Sequence, residues 1–512
     1  MNAPARWSLL ALGLVFLACA PTRLRRTITQ PSQASTLDRK SPYLKAHLRS
    51  GYVYVLDSWE VDTSGTVVTG RGLLLTPNRS TDHQGQFRLP VDSVALFETN
   101  LLQRGGAVTA LSVMSGITAA VTAVCIADSK TCFGSCPTFY AADSAGSFLH
   151  AEGFSASVAP ALEAVDIDAL YRVRVTGRDF RLHLRNEALE THVIRYADLL
   201  AVPRPDGARV FHVSDDQFRP AISLHPPARC SDAGGDCLHA VAALDGRERT
   251  SLSDSLDLAT RETIDLEFAR DLPGERGLVI TFRQSLMSTY LLYQTLAYLG
   301  SHASSALAAL TTGGDAARER VAGMGRLLGR IEVLVPDSAG GWVHAGTAGE
   351  TGPLAPDTKV VPLPPTSEGP IRIRLRLTRG LWRIDYLALA HLGQPIQPVR
   401  VPPARVQRKG REDPAAWRAL VDTGKSLVTL PGDSYDLIYR LPAQPERYDL
   451  FLESRGYYLE WMRREWLAEE NLALAAQILL DPAGALRRLA PAFKRQEPEM
   501  ERLFWNSRYV VR

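Results

Sequence analysis

The chain has 512 residues, 45% of them apolar, which suits a folded protein of roughly three domains and excludes a wholly disordered or fibrous chain. Its 58 Lys and Arg stand against 55 Asp and Glu, a formal net charge of +3, and no basic stripe is dense enough for a nucleic-acid footprint. The 38 Gly and 32 Pro are spread along the chain, which reads as many turns joining short strands.

At the start, Arg6 precedes an apolar run from Trp7 to Ala18 that ends at Cys19. Its length suits the apolar core of a signal peptide better than a spanning helix. The tetrad Phe16-Leu17-Ala18-Cys19 resembles the lipobox of bacterial lipoproteins. The resemblance implies cleavage before Cys19, acylation of that residue with palmitate or similar chains, and a membrane anchor without a spanning helix. Ala20 at the next position implies outer-membrane sorting. Arg23, Arg25 and Arg26 oppose translocation, and the alternative is an uncleaved anchor with the body in the cytoplasm. Residues 19–42 are then anchor and flexible tether, rich in Thr, Ser, Gln and Pro after residue 26.

The expected fold class is mainly β. Residues 43–104 alternate in period two between turn signals such as Ser50-Gly51 and Ser64-Gly65, predicting a small SH3-like meander or barrel. Residues 105–130 contain an uncharged stretch, 107–127, long enough to span a membrane but diluted by alanine, serine and threonine. Ser112, Gly116 and Ala120 recur every four residues there, and a buried or interfacial helix is favoured over a spanning one. Residues 131–403 read as β-sandwich, with strands predicted at Tyr171–Val175, Asp179–Leu184, Leu199–Val202, Arg209–Val213, Thr263–Phe268, Gly277–Phe282, Arg330–Val335, Lys359–Leu363, Ile371–Leu377 and Trp382–Ala390. In the run 371–377 the alternation puts Ile371, Ile373, Leu375 and Leu377 inward and three arginines outward. Helical spacing through Leu286, Tyr290, Tyr293 and Ala297 predicts an inserted helical segment over 285–329. From 404 onward the pattern is a Pro-rich linker, a short β segment, and a helical tail with starts near 457, 482 and 498, the last two marked by Pro482 and Pro498. Trp461, Trp466 and Trp505 are expected to pack that tail.

Five cysteines remain beyond Cys19. Cys132 and Cys136, and Cys230 and Cys237, are close pairs with glycine between them, and export favours two disulfides. Cys125 reads as a buried free thiol. No metal site and no cofactor are expected, because no Met or His lies beside Cys132 and Cys136 and the spacing is not that of a redox pair. Ala419 to Ser426 matches the spacing of a phosphate-binding loop, but the helix would precede the turn and a strand would follow, the reverse of what that loop needs. Asp166, Asp168, Glu187 and Glu190 could form a glycosidase pair if brought ~5–9 Å apart, although solvated turns or ion pairs account for them more simply.

Asn186 to Thr191 with Leu199-Leu200-Ala201-Val202-Pro203, and the later Thr263-Ile264-Asp265-Leu266, Gly341-Trp342-Val343 and Val360-Val361-Pro362-Leu363, resemble the C-terminal region of secreted FG-GAP-repeat proteins related to cartilage acidic protein. The resemblance covers 171–390 and implies an extracytoplasmic, β-rich, non-catalytic module. The Asp-rich calcium repeats of that family are absent from this sequence. The expectation is thus a lipid-anchored envelope protein, partnered with the membrane through Cys19 and with an envelope protein or glycan, acting in binding or assembly. The alternative is an envelope hydrolase acting on glycan or peptide with a site formed only in three dimensions.

Overall fold

The computed structural model describes residues 22–48, 52–75, 81–104, 136–142, 147–213, 217–269, 274–349, 351–365 and 370–508. Cys19, Cys125, Cys132 and the apolar stretch 107–127 lie outside them. The chain is mainly β and divides into two compact units, one comprising Met1–Phe133 with Arg463–Leu467 and Asn506–Arg512, the other comprising Gly134–Met462 with Ala468–Trp505.

In the first unit, six antiparallel strands run in the spatial order Thr22–Thr29, Val94–Arg104, Leu44–Leu48, Val53–Val61, Val67–Leu75, Thr81–Pro90. The expected meander is there, as an open sheet and not a closed barrel. The tether reading is corrected: Thr22–Thr29 pairs along its whole length with Val94–Arg104, and Ala34 and Leu37 beyond it are buried with Leu44, Val68 and Phe97. The signal missed was alternation in Thr22 to Thr29, masked by its three arginines. Glu98 is buried in this sheet and receives hydrogen bonds from Lys45 at 3.0 Å and His47 at 3.3 Å.

The second unit opens with a sandwich. One sheet runs in the order Arg411–Glu412, Pro403–Arg408, Ser434–Arg440, Asp179–Arg185, Thr138–Ala142, Ser147–Glu152. The other runs Val399–Val401, Glu190–Pro203, Tyr448–Glu460, Ala164–Ala169, with Leu427–Thr429 also on Glu190–Pro203. Phe139, Leu182, Leu184 and Leu437 of the first share one core with Ile194, Leu199, Leu427 and Leu452 of the second. The sandwich therefore continues past the expected boundary at 403. Tyr448–Glu460 is a 13-residue strand pairing with Glu190–Pro203, so no helix starts near 457. Its run of Tyr, Leu, Phe and Tyr had been outweighed by the helical pattern that follows.

A closed five-stranded barrel follows: Arg209–Val213, Gln217–His225, Trp382–Leu392, Arg276–Gln284 and Asp357–Leu363, shut by the parallel pairing of the first and last. Beside it a six-stranded sheet includes Arg261–Phe268, Ile371–Thr378 and Ile331–Pro336. The alternation read in 371–377 holds, with Ile371, Ile373, Leu375 and Leu377 buried and Arg374 and Arg376 bonded to Asp265 and Glu332. Tyr171–Val175, expected as a strand, is irregular.

Seven helices are described: α1 (Met287–Leu299), α2 (Ala303–Thr312), α3 (Gly314–Leu328), α4 (Pro414–Val421), α5 (Arg464–Ala468), α6 (Leu472–Leu480) and α7 (Pro482–Arg508). The first three are the expected insertion. α4 precedes the turn at 422–426, and a strand follows, so the phosphate-loop match has the wrong context, as expected. Pro482 starts α7 as the sequence suggests, but Pro498 lies inside it. Glu497 explains why the helix holds there: it is buried and accepts from the Ser253 amide at 2.7 Å and its hydroxyl at 2.8 Å, with Lys494 at 3.3 Å. Among the expected packing tryptophans, Trp466 is buried and Trp461 donates its indole N–H to Thr191 at 2.9 Å. No helix among the described residues is long and apolar enough to cross a membrane.

Cys230 and Cys237 form the expected disulfide, across a separation of seven residues. Cys136 is a free, buried thiol, and Cys132, its expected partner, lies outside the described residues. Loop-closure entropy for the short Cys230 loop predicts that Cys230→Ser with Cys237→Ser lowers unfolding free energy by about 2–3 kcal/mol in urea titrations. Coincident wild-type and variant curves would contradict this.

Candidate functional site

Ser147–Glu152, Ala164–Ala169, Glu190–Pro203, Arg209–Val213 and Asp357–Leu363 each turn polar residues into the interior of the second unit. Period-two spacing explains the pairs: Asp166 with Asp168, Glu190 with His192 and Asp357 with Lys359 each share one face of a strand. All of these except Lys359 are buried. Of the two plainer readings of Asp166, Asp168 and Glu190, solvated turn residues is corrected by their burial, and the charge of Lys359 beside Asp166 and Asp168 fits the other, structural ion pairs. A sequence signal existed, since two acids two apart inside an apolar strand mark a polar inner face.

The network has two ends. At one, the Cys136 amide donates to Glu190 Oε1 at 2.8 Å, and His192 Nε2 donates to the same oxygen at 2.7 Å. The Cys136 thiol reaches Glu152 Oε1 at 3.5 Å, and Glu152 Oε2 accepts from the amides of Leu354 at 2.6 Å and Ala355 at 2.7 Å. These bonds hold Cys136 at φ 95°, a conformation that costs a non-glycine residue about 1–3 kcal/mol. Burial pushes the Glu152 carboxyl up to about 7 and, with the charges of Glu152 and Glu190, pushes the Cys136 thiol well up. Burial holds His192 down to about 3. The result is a neutral thiol and a neutral imidazole, not an activated nucleophile and its base.

At the other end, Lys359 Nζ donates to Ile167 O at 2.7 Å, pairs with Asp357 at 2.8 Å and lies 3.2 Å from His212 Nδ1. Burial opposes the Lys359 charge, but Asp357 and Asp166 outweigh it and hold its pKa above the usual value. Burial, reinforced by Asp166 and Asp357, raises Asp168 well above its ordinary value. His212 is held down to about 3 by burial and by Lys359. Glu187 stands apart, accepting from the Tyr140 hydroxyl at 2.5 Å and from Thr138 at 3.1 Å. The structure thus gathers Asp166, Asp168 and Glu190 with Glu152 and leaves Glu187 out. No group of His, Cys, Asp and Glu among the described residues is arranged to hold a metal ion.

A pocket of about 340 Å³ adjoins this network, within the range of small-molecule sites. Its walls come from Ser155, Ala156, Val158 and Tyr458, from Gln284 and from Ser288, Thr289 and Leu292 of α1, from Gly325, Gly329 and Arg330, and from Thr351-Gly352-Pro353 and Trp382. The loop 351–355 separates pocket from network. A side chain at Gly352 would meet both carboxylate oxygens of Glu152 at 2.6 Å, so only glycine lets the loop lie this close. On its other side Arg283, fully buried and paired to Glu248 by two bonds of 2.6 Å, donates to Pro353 O at 2.9 Å. The loop is fixed before any ligand arrives.

Two features of the pocket were invisible in the sequence. Trp382 is 2% exposed, and its indole N–H carries no hydrogen bond among the described residues, a deficit of about 1–3 kcal/mol. α1 begins at this wall with no side-chain cap from Leu286; the Ser285 hydroxyl accepts from the Met287 amide at 3.2 Å, and the helix's own hydrogen-bond ladder starts with Tyr290 N donating to Leu286 O. Both depend on contacts between segments far apart in the chain. No protein-family model, no curated protein and no solved structure matches the chain.

Proposed function

We propose that the chain is an exported protein held to the cell envelope, at the outer membrane, by lipid on Cys19, and that its body acts by binding and not by catalysis. The observation that carries the second part is the composition of the pocket. Its lining offers serine and threonine hydroxyls, backbone groups and Arg330, but no imidazole, thiol or carboxylate among the described residues that could activate a hydroxyl or a water. The acids that a hydrolase would need lie behind the 351–355 loop, buried, with Glu190 and Glu152 engaged by Cys136, His192 and backbone amides and Asp357 by Lys359. The Cys230–Cys237 disulfide supports export, since such bonds persist in oxidising compartments. The partner is an envelope component, a protein or a glycan, that presents a small group to the pocket.

Metabolic labelling with palmitate tests the anchor. Wild-type chain should take up label and fractionate with the outer membrane, and Cys19→Ser should lose both; equal labelling of the two would remove the lipoprotein reading. Incubation with purified peptidoglycan tests the mode of action. An unchanged fragment profile is expected, whereas new fragments released by the chain and not by Asp168→Asn would establish the hydrolase instead.

A further inference from the structure

We propose that the pocket receives an anionic headgroup, carboxylate or phosphate, carried on a small apolar body. This deepens the binding reading and rests on it. Three observations converge. Arg330 is the only charged residue in the lining among the described residues, and its side chain is exposed. The 13-residue helix α1 enters the wall by its first turn, where Ser288 and Thr289 precede the helix's own ladder and the macrodipole places positive potential. Trp382, buried in the same wall, holds a donor with no partner among the described residues. A donor-only group such as an indole is satisfied only by an acceptor, and an anion supplies one.

The remaining walls suit the body of such a ligand. Val158, Leu292 and Pro353 give apolar surface, and Gly325, Gly329 and Gly352 leave room for close approach. The nearest acid, Glu152, is turned to the far side of the 351–355 loop, where the Leu354 and Ala355 amides and the Cys136 thiol engage it. Arg283 fixes the same loop through Pro353 O. The pocket is therefore positive at one wall, apolar at another and preorganised, which is how a small ligand is bound without a large ordering cost.

The test is isothermal titration of the full chain with hexanoate and hexyl phosphate, using hexanol and hexylamine as controls. At least one anion should bind ten-fold or more tighter than hexanol, and hexylamine should not bind. The ratio of the two anions tells a carboxylate source from a phosphate source. Arg330→Gln should weaken the preferred anion about ten-fold and Trp382→Phe about five-fold, each on protein shown to be folded by a cooperative melting curve. Hexanol or hexylamine binding as tightly as the anions would overturn the headgroup assignment while leaving the pocket as a binding site. Failure of all four probes on folded protein would overturn the binding reading together with it.

Discussion

Replacing Lys359 by methionine is expected to lower the unfolding free energy by about 3–5 kcal/mol, the usual consequence of leaving a buried charge without its partner. Lys359 is bonded at 2.8 Å to Asp357, which is 2% exposed, and Asp166 and Asp168 face the same interior. Methionine fills the space of the stem but removes the only cation in contact with these acids among the hydrogen bonds and ion pairs described. Asp357 must then either keep an uncompensated charge or take up a proton at a cost that grows with pH. Urea titration at pH 7 measures the loss. Adding Asp357→Asn to Lys359→Met should recover most of it, because the double variant no longer buries the orphaned charge. A loss below about 1 kcal/mol would mean that the ion pair does not hold the barrel strand Asp357–Leu363 against its neighbours.

The second large effect is a pH dependence centred on Glu152. Its carboxyl is raised from 4.5 to about 7 by burial, so the folded chain holds this proton more tightly than the unfolded chain does. The stabilisation is complete below pH 4.5 and is lost as the pH rises towards 7, a change of about 3 kcal/mol at 1.36 kcal/mol per unit. Glutamine keeps the shape and the acceptor for the Leu354 and Ala355 amides but cannot ionise. The stability of Glu152→Gln relative to wild type should therefore increase by about 3 kcal/mol between pH 4.5 and pH 7.5. The histidines oppose this trend in both proteins, since His192 and His212, held down to about 3, destabilise the fold as the pH falls below 6.5. Taking the difference between variant and wild type removes them. A difference that is flat with pH would show that Glu152 is ionised in the folded chain throughout.

The two ends of the network explain what the sequence revealed and what it withheld. Strand periodicity carries information about faces, and it located the alternation from Ile371 to Leu377 correctly because that strand has one wet and one dry face, while Arg209–Val213, buried from Val210 on, was legible from its apolar run between turns. It failed for Tyr448–Glu460 and for Thr22–Thr29, where the strand is covered on both sides or its apolar positions are interrupted by arginines. The Cys230–Cys237 pair was legible because a short loop with two glycines brings the thiols together without help from the rest of the chain. Cys136 was not: its partners Glu152 and Glu190 lie 16 and 54 residues away, and they engage its thiol and amide.

The acids were recognised as a group, but with the wrong environment. Asp166 and Asp168 look like turn residues when read one at a time, and only the positions of Asp357 and Lys359, almost 200 residues later, make a buried neutralised cluster of them. The pocket was out of reach altogether, because its wall joins Ser155, Ser288, Arg330, Gly352 and Trp382 from five separate segments.

The pocket beside α1 is proposed as a preformed site in which the Trp382 indole, without a hydrogen-bond partner among the described residues, donates to an anionic ligand. The most direct measurement is a ¹H–¹⁵N spectrum of the eight tryptophan indoles, with Trp382→Phe identifying the resonance, recorded as hexanoate or hexyl phosphate is added. The account predicts that the Trp382 indole proton moves downfield and exchanges more slowly with water as the site fills, while the other seven stay in place. An indole resonance that does not move when titration shows the site saturated would contradict it.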